Sequence, residues 1–77
     1  MPIQKPIRYD RHARRRMKWR RISDSNVEET LNSPDKIEST FVGRMNAFKR
    51  IGERLIKVTY RESDNEVLVI SAVDKSD

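Results

Sequence analysis

Residues 54–73 read RLIKVTYRESDNEVLVISAV, and the fold turns on how this stretch is parsed. Its first eight residues alternate. Ile56, Val58 and Tyr60 share one parity, and Lys57, Thr59 and Arg61 the other. A period of two marks a strand with one face on a core. Residues 62–65, ESDN, form a polar turn. Residues 66–73, EVLVISAV, are apolar almost throughout, which suits a strand in a central or well-covered position.

Upstream, MNAFKRI at residues 45–51 is separated from this pair by Gly52-Glu53. That tight turn between apolar runs reads as a hairpin. KIESTFVG at 36–43 adds another strand, with Gly43-Arg44 as its turn. Before Lys36 the apolar spacing becomes helical. Ser23 is an N-cap, with Ile22 and Val27 at the spacing of a hydrophobic staple. Asp24, Glu28 and Glu29 place negative charge near that helix's positive end, and Ser33-Pro34 stops it. Val27, Thr30 and Leu31 face inward. An earlier helix of about ten residues starts after Asp10 and closes at Arg20-Arg21. Ala13 and Met17 give it a narrow apolar stripe. A brief strand ending near Tyr9 would sit at an edge. The expectation is an α+β domain over residues 1–77: two N-terminal helices on one face of a mostly antiparallel four-stranded sheet.

At 77 residues and 35% apolar content, the core must be thin. The absence of cysteine excludes disulfides and thiolate metal sites. A lone histidine excludes an all-nitrogen metal site within one chain, so neither metal nor cofactor is expected. MPIQKPIRYD lacks the apolar region of a signal peptide, and no run is long enough to span a bilayer. A cytoplasmic location is expected.

The charges fall in blocks. Residues 1–22 carry a net +8, 23–43 a net −4, 44–61 a net +5 and 62–77 a net −4. If the two positive blocks meet, they form one basic face suited to a nucleic-acid backbone or an acidic protein. YDRHARRRMKWRRIS, residues 9–23, holds seven of the chain's seventeen cations with its only His and only Trp. On a helix, His12, Arg16 and either Trp19 or Arg20 share a side. Imidazole can move protons, a guanidinium fork suits phosphate, and indole can stack on a base. RNA cleavage by its own 2′-hydroxyl needs a base, a phosphate-holding cation and an acid. The catalytic candidates are His12 as base, Arg16 and Arg54 at the phosphate, and Lys49 or Tyr60 on the acid side. Arg15, Trp19, Arg20, Arg44 and Lys57 are candidates for holding RNA. Lys49 and Lys57 are expected on the open sheet face. Blander readings stand beside these: His12 bonded locally, Trp19 and Tyr60 in the core, Arg11, Arg14 and Arg15 merely solvated. The lone imidazole could also ligate haem between two copies.

His12-Ala13, Arg16-Met17, Arg20, Arg21-Ile22-Ser23, Val27 to Leu31, Ser33-Pro34, Gly43-Arg44, RLIKVTYR and VLVISAV together resemble a small bacterial and archaeal domain of formerly unknown function. That domain is distantly similar to the BrnT, RelE and ParE toxins. It usually has Gly where this chain has Arg21. The resemblance implies a RelE/ParE-like fold with a strongly bent sheet. It implies either a metal-independent toxin endoribonuclease, neutralised by a cognate acidic antitoxin, or a non-catalytic binder of nucleic acid, gyrase or another acidic partner. Ribosome association and a homodimer both stay open.

Overall fold

The computed structural model describes residues 5–40 and 42–76. In chain order its elements are β1 (Ile7–Tyr9), α1 (Arg11–Trp19), α2 (Asp24–Asn32), β2 (Lys36–Ser39), β3 (Met45–Ile51), β4 (Arg54–Glu62) and β5 (Val67–Asp74). The strands form one sheet in the order β1-β5-β4-β3-β2. The expected four-stranded, mostly antiparallel sheet behind two N-terminal helices is therefore corrected. There are five strands, the sheet is mixed, and the helices lie between β1 and β2. β1 runs parallel to β5, with Ile7 opposite Val67 and Tyr9 opposite Val69. The brief edge strand expected to end near Tyr9 is β1; its parallel pairing is a long-range event that leaves no turn signature in the sequence. The other pairs are antiparallel. β2 is shorter than expected, ending at Ser39.

Each helix is set by local chemistry. The Asp10 carboxylate accepts from His12 N–H at 3.0 Å, and Asp10 N–H donates to Val69 O at 2.9 Å. One residue thus caps α1 and ties its start to β5. At the other end Ile22 N–H reaches Met17 O at 2.9 Å and Arg21 N–H reaches Lys18 O at 3.3 Å. This is a Schellman closure, with Ile22 and Met17 both in the core. It requires a left-handed residue at Arg21, whose φ is 57°. The departure from glycine seen in the sequence thus falls where glycine has a physical advantage. α2 opens with a capping box between Ser23 and Asn26.

The core lies on one side of the sheet. Ala13, Met17, Ile22, Val27 and Leu31 pack on Ala47, Ile56, Val58, Tyr60, Val67, Val69 and Ala72. α1 covers β5, and α2 covers β4 and β3. In β5 a register shift leaves Ile70 without a partner: Tyr60 faces Val69, but Thr59 faces Ser71. Such a bulge restores inward parity for Ala72 after Val67 and Val69. Its cause is invisible in an unbroken apolar run.

Asp74 ends β5 as a node. Its carboxylate accepts from Ser76 Oγ at 2.6 Å, Ser76 N–H at 2.9 Å, Arg54 Nε at 3.0 Å and Leu55 N–H at 3.3 Å. Those bonds, from Ser76 first and then Arg54, hold its carboxyl well below the usual carboxylate range.

Two outcomes follow. Arg21→Gly should raise stability by about 0.5–1 kcal/mol, from relief of left-handed strain partly offset by unfolded-state entropy; urea denaturation measures it. A carboxyl depressed in the folded state contributes stability that is present above its unfolded value near 4 and lost as pH falls toward the folded one. The acid limb of a melting-temperature profile below about pH 4 should therefore be shallower in Asp74→Asn than in the wild type.

Candidate nucleic-acid interface

α1 buries only Ala13 and Met17. At 100° per residue, that stripe leaves two exposed flanks. One flank faces α2 and is occupied: Arg14 pairs with Asp24 and lies 4.0 Å from the centre of the Tyr9 ring. The other carries His12, Arg15, Arg16 and Trp19 at i, i+3, i+4 and i+7, over a rise of roughly 10 Å. All four are exposed, and Trp19 is 89% exposed. It is not a core residue, because α1 reaches the sheet only through its two-residue stripe. None of the four side chains has a hydrogen-bond or ion-pair partner among the described residues.

The other catalytic candidates do not join them. Arg54 is a strut. Its Nε donates to Asp74, its Nη1 to Arg21 O at 3.0 Å and its Nη2 to Arg20 O at 3.1 Å. It satisfies carbonyls at the α1 C-terminus, where positive charge suits the helix dipole. Lys49 does the same for α2, donating to Ser33 O at 2.9 Å with Asp35 at 3.9 Å. Its ladder partner is the buried Ile56, so it stands on the helix side and not on the open face as expected. Tyr60 is in the core, with burial first and then Glu62 raising its pKa. The base candidate is thus exposed on α1, Tyr60 is buried in the core and Lys49 is committed to the C-terminus of α2.

The RNA-holding candidates also divide. Arg20 spends Nη1 on Ala72 O at 3.0 Å. Lys57 lies between the buried Ile56 and Val58, so it points to the uncovered sheet face, as expected. Arg44 follows Gly43 in the connection between β2 and β3, at the sheet end remote from α1. The second basic block therefore divides. Arg54 and Lys49 lie on the helix side with their charges committed to backbone carbonyls, and Lys57 lies on the uncovered face. The two blocks do not form one free basic face.

Arg11, read from the sequence as merely solvated, lines a cleft of about 740 Å³ with Arg8, Tyr9, Arg14, Asp24 and Glu28. The Tyr9 hydroxyl is buried there with no hydrogen-bond partner among the described residues. Burial, then Asp24 and Glu28, push its pKa up to about 12 against the pull of Arg14. No local pattern links residues 9 and 28; the pairing of β1 with β5 brings them together.

Among the described residues no cluster of three His, Asp or Glu side chains could hold a metal ion. No helix there is long and apolar enough to cross a membrane.

The fold and this flank define a small α+β domain with a one-sided sheet and a basic, aromatic-bearing helix. The chain belongs to the family described as Domain of unknown function (DUF4258), which matches residues 9–74. No curated protein and no solved structure gives a significant match. The family match carries no RelE, ParE or BrnT relationship with it.

Strut and free cation should separate cleanly. Arg54→Ala should cost about 1–2 kcal/mol, having lost charged hydrogen bonds to two carbonyls and a carboxylate. Arg16→Ala should stay within about 0.5 kcal/mol of the wild type. Chemical denaturation of both variants checks the pair.

Proposed function

We propose that the chain is an RNA-binding domain that holds single-stranded RNA along the His12, Arg15, Arg16 and Trp19 flank of α1. The observation that carries this reading is Trp19, 89% exposed at the end of a flank of unpaired guanidinium groups. An indole held in water has no packing role to explain it, and every base offers a face for it to stack on. Arg15 and Arg16 supply phosphate contacts whose counterion release makes binding salt-dependent. The resemblance to BrnT-like proteins noted in the sequence adds support for RNA as the target.

A second reading is favoured by one observation. The His12 imidazole is exposed beside Arg16, with no partner among the described residues. That pair is the base and phosphate holder of a metal-independent toxin-like endoribonuclease. The burial of Tyr60 and the commitment of Lys49 to Ser33 O remove from this reading both acid candidates that the sequence offered. Binding without turnover therefore stands first. In either reading, an acidic partner protein such as an antitoxin would compete for the same flank.

The chain has a single tryptophan, so its intrinsic fluorescence reports on the site itself. Single-stranded RNA should quench it, and RNA anisotropy should show Trp19→Ala weakening binding by about 1–3 kcal/mol. Arg16→Ala should lower the slope of log affinity against log salt by about 0.7. Unquenched tryptophan, or affinity untouched by Trp19→Ala, overturns the binding site. The same samples on a denaturing gel separate the two readings. Fragments with the wild type and none with His12→Ala establish the endoribonuclease; intact RNA leaves the binding module.

A further inference from the structure

β2 is an edge strand with every residue exposed. Thr40 N–H donates to Arg44 O at 2.9 Å, and Glu38 and Lys36 face Asn46 and Phe48. Hydrogen-bonding residues alternate along an antiparallel strand. Lys36, Glu38 and Thr40 therefore point their main-chain groups at β3, while those of Ile37 and Ser39 point to the open edge. Short length, charge and proline blunt natural edges; β2 has four residues with Lys36 and Glu38 and follows Pro34, but an isoleucine 49% exposed sits between its charges. Just past the strand, Val42 is 58% exposed.

We infer that β2 is a self-pairing edge, at which a second copy of this chain adds its own β2 antiparallel about a two-fold axis through Ile37. Charge sets this register. Centred on Ile37, Lys36 of each copy lies opposite Glu38 of the other, on the same face of the sheet. Centring on Lys36 or on Glu38 opposes like charges, and centring on Ser39 leaves both charges without a counterpart. In this register outward main-chain groups meet, and Ile37 exchanges its two hydrogen bonds with Ile37 of the second copy. The two isoleucine side chains then cover one another on the helix side. Lys36 and Glu38 already lie 3.0 Å apart within one chain, so pairing closes a ring of four alternating charges. The contact is short, and its dimer is a weak, reversible one. It joins two five-stranded sheets into one and keeps both α1 helices away from the junction, since α1 lies over β5, three strands from β2. The inference is independent of what α1 binds; if α1 binds RNA, the dimer presents two such flanks.

Sedimentation equilibrium over a wide concentration range tests it. The wild type should show a concentration-dependent dimer. Ile37→Pro should be monomeric with unchanged circular dichroism, because the N–H it removes faces the open edge and proline is tolerated there. Glu38→Lys should weaken the dimer about tenfold by opposing lysines, and Lys36→Glu/Glu38→Lys should restore it. A wild type that stays monomeric up to about 1 mM, a dimer indifferent to Ile37→Pro, or a charge swap that fails to rescue Glu38→Lys overturns the proposal.

Discussion

The guanidinium of Arg54 is the joint on which the arrangement of this domain depends. It starts β4 and holds Asp74 at the end of β5. It also holds the carbonyls of Arg20 and Arg21, where α1 turns into α2. Three directions of chain are fixed by one planar fork, which lysine's single ammonium could not reproduce. Lys49 repeats the device for α2 through Ser33 O. Both helices of a thin domain are thus held at their C-termini by cations from the sheet, where the dipole adds to the hydrogen bonds.

With its ends fixed, α1 needs little burial. Asp10 anchors it to Val69 at the start, Arg54 anchors it at the finish, and Ala13 and Met17 fill the gap to β5. The rest of the helix is free to be charged. A helix held mainly by its own apolar face could not present this many cations and still dock. The clamped ends therefore permit the His12, Arg15, Arg16 and Trp19 flank to exist as a rigid, solvent-facing row.

The one-sided core leaves the rest of the basic surface elsewhere. Lys57 stands on the uncovered sheet face and Arg44 beyond β2. The uncovered face also holds Phe48, with Lys36 Nζ 5.6 Å from its ring centre. Charge is therefore spread over separate surfaces, and α1 alone combines unpaired cations with an exposed aromatic ring.

Short-range physics made much of this legible. Asp10 and Ser23 announced their helices, Gly52-Glu53 its hairpin, and the parity of Ile56, Val58 and Tyr60 the core face, because each acts within a few residues. The His12 and Arg16 pairing followed from helical spacing in the same way. Sequence could not decide what depends on distant partners. The parallel pairing of β1 with β5 joins residues some sixty positions apart, and neither strand records the other. Whether a cation is free or spent was equally hidden. Arg16 and Arg54 are the same residue type in similarly basic surroundings, but only Arg54 has carbonyls and a carboxylate brought within 3.1 Å by folding. Trp19 is the opposite case, a residue for which the sequence left base stacking and core packing both open and which the fold leaves in water, because α1 meets the sheet along another stripe. Sequence determined which elements form and which faces they bury; tertiary structure decided which charges remain available, because availability is settled by the partners that folding supplies.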